Sequence, residues 1–161
     1  MKKKLFNALN KSKDNRAEAG KVDLLVSEEE IIDVKNMLPG DTVEGMLVVE
    51  NIGTVVANYF ISAEWFSPQD KPPQEVALIA ESLKMDLKVV EEKEDKEELK
   101  EKIFVGPLLE LINQSEEGVL IEVDEKQKIR VRVTLDKRAN RFIQQLDLEV
   151  ELLFIAVKAN D

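Results

Sequence analysis

Carboxylates are the one abundant class of side chain here that could do acid–base chemistry: the chain holds 33 Asp and Glu, no His and no Cys. Two carboxyl groups that meet in space can act as acid and base, as in glycoside hydrolysis. Nothing in their spacing selects a pair, and most fall at the polar positions of alternating segments, where solvated surface is their ordinary role. Without His or Cys there is no thiolate nucleophile, imidazole base, common zinc site or Ser-His-Asp triad. The densest acidic run, residues 91–102, has seven acidic and four basic residues around Leu99. It lacks the Gly-punctuated pattern of a calcium loop. Six scattered Gly make no phosphate cradle. Tyr59, Phe60, Trp65 and Phe66 could form a carbohydrate platform, although strand core is the more ordinary place for them. Two sequons, Asn10-Lys11-Ser12 and Asn113-Gln114-Ser115, matter only in a glycosylating host. The expectation is no catalytic residue, no metal ligand and no cofactor.

Charge is distributed unevenly. Residues 1–20 carry six basic side chains (Lys2, Lys3, Lys4, Lys11, Lys13, Arg16) against Asp14 and Glu18. That is a local +4 on a chain of net charge −10, leaving −14 for the rest. So acidic a body repels phosphate backbones, and nucleic acid is not an expected partner. A basic arm on an acidic body can instead dock onto another copy of that body. Lys2–Lys4 look like the start of an export signal, but Asn7, Asn10, Lys11 and Ser12 interrupt the apolar core that should follow. No stretch reaches the roughly 18 to 20 apolar residues of a membrane span.

The elements that must position these groups follow from period-two alternation, the pattern of strands with one buried face. At 161 residues and 43% apolar content, one domain with a real core is expected. Strands are predicted at residues 22–26, 42–51, 55–66, 83–89, 119–123, 129–135 and 146–156. Leu38-Pro39-Gly40-Asp41 is a turn, with Pro presetting the first central dihedral and Gly accepting a positive one at the second. The prolines of 67–73 force a loop, a helix follows from Gln74 to about Ser82, and Pro107–Ile112 is a short helix opened by Pro. The i,i+4 pairs Glu92/Lys96 and Glu98/Lys102 suggest an exposed helix or loop over residues 91–102. From Leu153 the alternation fails, because Leu153, Ile155 and Val157 are apolar too. The fold class is all-β with short helical insertions, a two-sheet antiparallel jelly-roll-like sandwich. Residues 1–20 are an N-terminal arm and 21–161 the domain.

Several of these segments carry a resemblance. Ala19-Gly20-Lys21-Val22-Asp23-Leu24 resembles the opening of the mature domain in the TasA/camelysin family of secreted bacterial matrix-fibre proteins. Leu38-Pro39-Gly40-Asp41-Thr42-Val43 is similar to that family's L-x-P-G-D-[ST]-V segment, and Leu47, Val49, Asn51 and Gly53 fall on the L-x-[LV]-x-N-x-G after it. Asn140, Phe142, Leu146 and Leu148 resemble its final loop and strand, while residues 67–118 match only in outline. Archaeal bundling pilins look like relatives of the same type.

The resemblance implies an extracellular or cell-surface jelly-roll subunit that assembles into biofilm-matrix fibres or pili. Its partners would be other copies of itself, with the cell envelope or other matrix components beside them. In such fibres the N-terminal arm of one subunit completes a sheet of the next. The peptidase label of camelysins does not carry over, since the chain has no His for an H-E-x-x-H helix. Leu5, Phe6, Ala8 and Leu9 are the candidate anchors of the arm. Burying Leu or Phe contributes roughly 1.5 to 3 kcal/mol each. A different reading keeps the chain as a monomeric surface binding module or adhesin that uses the Trp65 region or the loops.

Overall fold

The computed structural model describes residues 6–10, 20–27, 37–66, 72–139 and 149–160, with backbone placement alone for residues 6–10, Phe66 and Glu149. Among the described residues nine strands form two sheets: β1 (Phe6–Asn10), β2 (Leu24–Val26), β3 (Thr42–Asn51), β4 (Ala57–Phe66), β5 (Leu83–Lys93), β6 (Lys96–Pro107), β7 (Val119–Ile121), β8 (Lys126–Leu135) and β9 (Glu149–Lys158). One sheet has the order β1-β9-β4-β7 and the other β2-β3-β8-β5-β6. This is the expected two-sheet sandwich. One ladder departs from the expectation: β1 lies parallel to β9, and every other pair among the described residues is antiparallel.

Alternation builds the core as the sequence implies, because side chains on a strand point to opposite faces in turn. Leu47 and Val49 of β3, Ile129, Val131 and Val133 of β8, and Met85, Leu87 and Val89 of β5 are buried from one sheet. Tyr59 and Ile61 of β4 and Leu152, Phe154 and Ala156 of β9 are buried from the other. The second sheet's outer face is laced with ion pairs, among them Arg132 Nε to Glu44 Oε2 at 2.5 Å and Lys88 Nζ to Asp86 Oδ2 at 3.1 Å. Leu153, Ile155 and Val157, where alternation fails, are half-buried.

The helix α1 (Pro73–Ser82) begins at Pro73, whose fixed dihedral and missing N–H suit a first turn. It buries Ile79 and Ala80 and runs directly into β5. The second helix is a 3-10 segment, Leu108–Asn113, following Pro107 and burying Leu108 and Leu111.

Residues 91–102 are a correction. They are neither helix nor loop but the distal half of the β5–β6 hairpin, turning at Glu94 and Asp95 with φ of 50° and 61°. The charges pair across strands rather than along a helix: Arg130 Nη1 reaches Glu97 at 2.6 Å, Lys128 Nζ reaches Glu92 at 3.2 Å, and Lys100 Nζ reaches Glu125 at 3.4 Å. The i,i+4 spacing was a poor guide because the same charges also satisfy cross-strand neighbours.

Candidate assembly site

Residues from three parts of the chain converge at one end of the sandwich. The Lys21 amide donates to Thr54 Oγ1 (2.8 Å), and the Thr54 amide donates back to the Lys21 carbonyl (2.8 Å). The Asp23 carbonyl accepts from both Ile52 (3.0 Å) and Gly53 (3.1 Å). Leu24 is register partner to Asn51 as β2 joins β3. The chain that follows the arm is therefore clamped to the turn after β3.

Two glycines make that approach feasible. A Cβ at Gly53 would overlap the Lys21 carbonyl and stand 2.8 Å from the Asp23 nitrogen, and one at Gly20 would overlap Val55 Cγ1. Asn51 is wholly buried, with its amide group fully used. Its Nδ2 donates to the Val55 carbonyl (2.9 Å) and the Ile121 carbonyl (3.2 Å), and its Oδ1 accepts from Gly53 (3.0 Å). One side chain thus ties the end of β3 to β7 in the opposite sheet.

The Leu38–Asp41 turn is a separate structural device at the start of β3. Gly40 has φ +86°, the Asp41 amide donates to the Leu38 carbonyl (2.9 Å), and Asp41 Oδ2 accepts from the Leu38 amide (2.9 Å). With Pro39 before Gly40, this is the geometry of a type II turn. It delivers Thr42 to its partner Thr134, the two hydroxyls 2.7 Å apart.

The arm supplies the edge strand. Phe6 is register partner to Leu152, Ala8 to Phe154 and Asn10 to Ala156. Without β1, β9 would be an edge of its sheet, with an open row of peptide groups alongside three buried side chains. Because β1 is parallel to β9, it finishes beside Ala156, the end at which the Ala159 amide bonds the Val56 carbonyl (2.9 Å). Gly20, packed on Val55, stands at that same end.

Of the residues singled out in the sequence, Phe6, Ala8 and Leu9 lie in β1, and Gly20, Asp23, Leu24, Asn51 and Gly53 come together in the clamp. Pro39, Gly40 and Asp41 form the turn. Leu5 and Ala19 lie outside the described residues, as do Asn140, Phe142, Leu146 and Leu148.

A polar relay through the core was not singled out. The Tyr59 hydroxyl donates to Gln127 Oε1 (2.8 Å), and Gln127 Nε2 donates to the Leu120 carbonyl (2.9 Å) and Glu125 Oε2 (3.2 Å). Burial drives the Tyr59 pKa far above its ordinary range, with Glu101 and Glu125 adding to the rise. At Glu125 burial acts to raise the pKa. It is outweighed by hydrogen bonds from the Glu122 amide and Gln127 and by Lys100, so the carboxyl sits below its usual value. A signal existed: Gln127 is in phase with Ile129, Val131 and Val133, a polar residue at a core position.

Among the described residues there is no cluster of three or more His, Cys, Asp or Glu able to hold a metal ion. No described helix is long and apolar enough to cross a membrane. The convergent geometry is one of strand docking.

Comparison with known proteins adds a family. A family model described as camelysin metallo-endopeptidase matches residues 5–160. No curated protein matches. Among solved structures, similarity is found to the sporulation control protein Spo0M from Bacillus subtilis, with 16% identity and a TM-score of 0.28 over 88% of this chain and 48% of that one. AvmM, which catalyses macrocyclization in alchivemycin A biosynthesis, gives 15% identity and a TM-score of 0.33 over 73% and 66%. A family 123 glycoside hydrolase from Clostridium perfringens gives 8% identity and a TM-score of 0.36 over 86% and 27%. The chain spans about half the length of Spo0M.

Proposed function

The chain belongs to the camelysin family, also called TasA-like, and from that premise we propose that it is a structural subunit of extracellular fibres of the biofilm-matrix type. It polymerises head to tail through its N-terminal arm. The observation that carries this reading is β1 seated in parallel on the edge of β9, ahead of the clamp at Gly20 in the chain. A strand held this way can be exchanged for the same strand of a neighbour. Main-chain hydrogen bonds then supply affinity and alternate side chains supply fit. A contact that is head to tail and does not close builds a filament.

Charge favours the exchange. A +4 arm meets a −14 body, so the arm of one copy is drawn to the body of another. Such a subunit works outside the cell or at its surface, with other copies of itself as its main partner.

We assign no catalysis. The family's peptidase description implies a metal ion, and the residues do not fit one: there is no His or Cys, and the described carboxylates form no ligand cluster.

Deleting residues 2–15 tests the proposal. The truncated chain should keep its β spectrum and a cooperative melting transition, at a lower temperature for want of the β1 ladder, yet form no filaments under negative stain. Filaments identical to those of the full chain would sink the donor-arm mechanism. Full-length chain that stays monomeric on concentration would favour a surface binding module instead.

A further inference from the structure

The edge of the first sheet opposite β1 is unfinished. β7 pairs with β4 only from Ala57 to Tyr59. At Ile61 a side chain takes over: Gln114 Oε1 accepts the Ile61 amide (3.0 Å), and Gln114 Nε2 donates to the Ile61 carbonyl and to the Leu111 carbonyl (3.2 Å). One amide group thus imitates one rung of a strand. Peptide groups of alternate residues point to the same edge, so those of Ala63 and Trp65 follow Ile61 on that side. They have no hydrogen-bond partner there among the described residues.

Beside these two rungs lies an open groove of about 460 Å³. Ala63, Trp65, Leu108 and Leu111 line it and pack on the core. Ile112, also in the lining, is 87% exposed. Glu116 is the one charged lining residue, and exposed Glu64 stands between Ala63 and Trp65, on the other face of β4 by the period of the strand. The site offers two free rungs, an apolar wall and an acidic border.

We propose that this groove binds an extended segment of another protein, one that alternates apolar and basic residues, added to β4 as a new edge strand. Such additions draw affinity from main-chain hydrogen bonds and specificity from alternate side chains. Apolar side chains of the segment share the face of Ala63 and Trp65 and cover Ile112, while basic ones on the other face stand beside Glu64. Opposite charges facing one another across a ladder are favourable, and like charges are not. That rule selects the partner. A second copy using both rungs of its own β4 edge would pair Ala63 with Trp65 and so set Glu64 opposite Glu64. The inference stands apart from fibre formation, because β1 lies beyond β9 at the other edge of the sheet.

Trp65 is the only tryptophan, and its emission reports the groove directly. The full-length chain, dilute enough to be monomeric, is titrated with a blocked seven-residue peptide of alternating valine and lysine. Emission should shift to the blue and saturate. A peptide with glutamate in place of lysine should bind at least ten-fold more weakly. Of two versions of the valine-lysine peptide, N-methylated at the valines or at the lysines, one should lose binding and the other keep it, since only alternate amides face β4. Ile112→Asp, at an exposed position, should weaken binding about ten-fold, the effect of roughly 1.4 kcal/mol, with the circular dichroism spectrum unchanged. Glu64→Lys should reverse the preference toward the glutamate peptide. No shift with the valine-lysine peptide, an equal shift with the glutamate one, or equal behaviour of the two methylated versions overturns the proposal. So does a shift that arises on concentrating the chain without peptide, which names a second copy, or one produced by a chitin oligosaccharide and not by peptide, which names a sugar.

Discussion

Tyr59 on β4 and Gln127 on β8 join the two sheets through the interior, hydroxyl to amide oxygen at 2.8 Å. In a sandwich held mainly by apolar contact, this bond fixes the lateral register of one sheet on the other, because only one offset lets the two groups meet. Tyr59→Phe leaves the Gln127 oxygen buried without its donor, which costs about 1 to 3 kcal/mol. The measurement is urea unfolding, and a variant as stable as the parent would refute the role.

The same tyrosine sets the alkaline limit. Its folded pKa lies above the unfolded value of about 10, so its contribution is complete below pH 10 and is lost as the pH climbs beyond it. As the chain has one Tyr, tyrosinate absorbance should rise together with unfolding, not before it. Ionisation of Tyr59 in a chain that still shows its native spectrum would contradict this.

Glu125 acts on the acid side. Its folded pKa is depressed, so its contribution is present above the unfolded value of about 4.3 and fades as the pH falls through the folded one. Glu125→Gln should flatten the decline in stability below pH 4.3 while lowering stability at neutrality. An unchanged pH profile would remove Glu125 from the account.

At Asn51 the expected loss is larger. Asn51→Ala strips a wholly buried knot of three side-chain hydrogen bonds, leaving the Val55 and Ile121 carbonyls and the Gly53 amide without their partner. The cost should be at least about 2 kcal/mol, seen as a lower melting temperature and as easier proteolysis at residues 51–55. Loss of stability below 0.5 kcal/mol, the range of ordinary surface changes, would show that water fills the gap.

Two arm variants separate the forces of assembly. Lys2, Lys3, Lys4, Lys11 and Lys13 changed to Glu should slow filament growth, followed by light scattering. Leu5→Asp with Phe6→Asp should abolish it, since buried apolar side chains are worth about 1.5 to 3 kcal/mol each against 0 to about 1 for an exposed ion pair. Normal growth of the Leu5/Phe6 variant would mean that other residues anchor the arm.

Much of the body was legible in the sequence because single strands follow a local rule. The alternation of Ile129, Val131 and Val133 announced β8, and Pro39-Gly40-Asp41 announced its turn. Residues 91–102 misled because Glu94 and Asp95 adopt left-handed backbone conformations without the Gly or Asn that marks such a hairpin. The clamp was visible only as motif residues. That Gly20 meets Val55, or Asn51 meets Ile121, is a property of tertiary approach between segments far apart in the chain. Gln114 had no local signature at all, since an amide standing in for a strand depends on where β7 stops.

The seating of β1 on β9 within one chain would set a concentration threshold for the proposed assembly. The ladder is the same whether the arm is the chain's own or a neighbour's, so exchange gains almost nothing per strand, and mass action decides. An intramolecular arm competes at an effective concentration on the order of millimolar when its tether is short and flexible. Under the proposed exchange, dilute chains would keep their own arms, and polymer would spread only where copies are crowded together or where an existing end offers a vacant β9. Nucleation would then be the controlled step of the proposed assembly, and the place where the first open edge is presented would set where fibres grow.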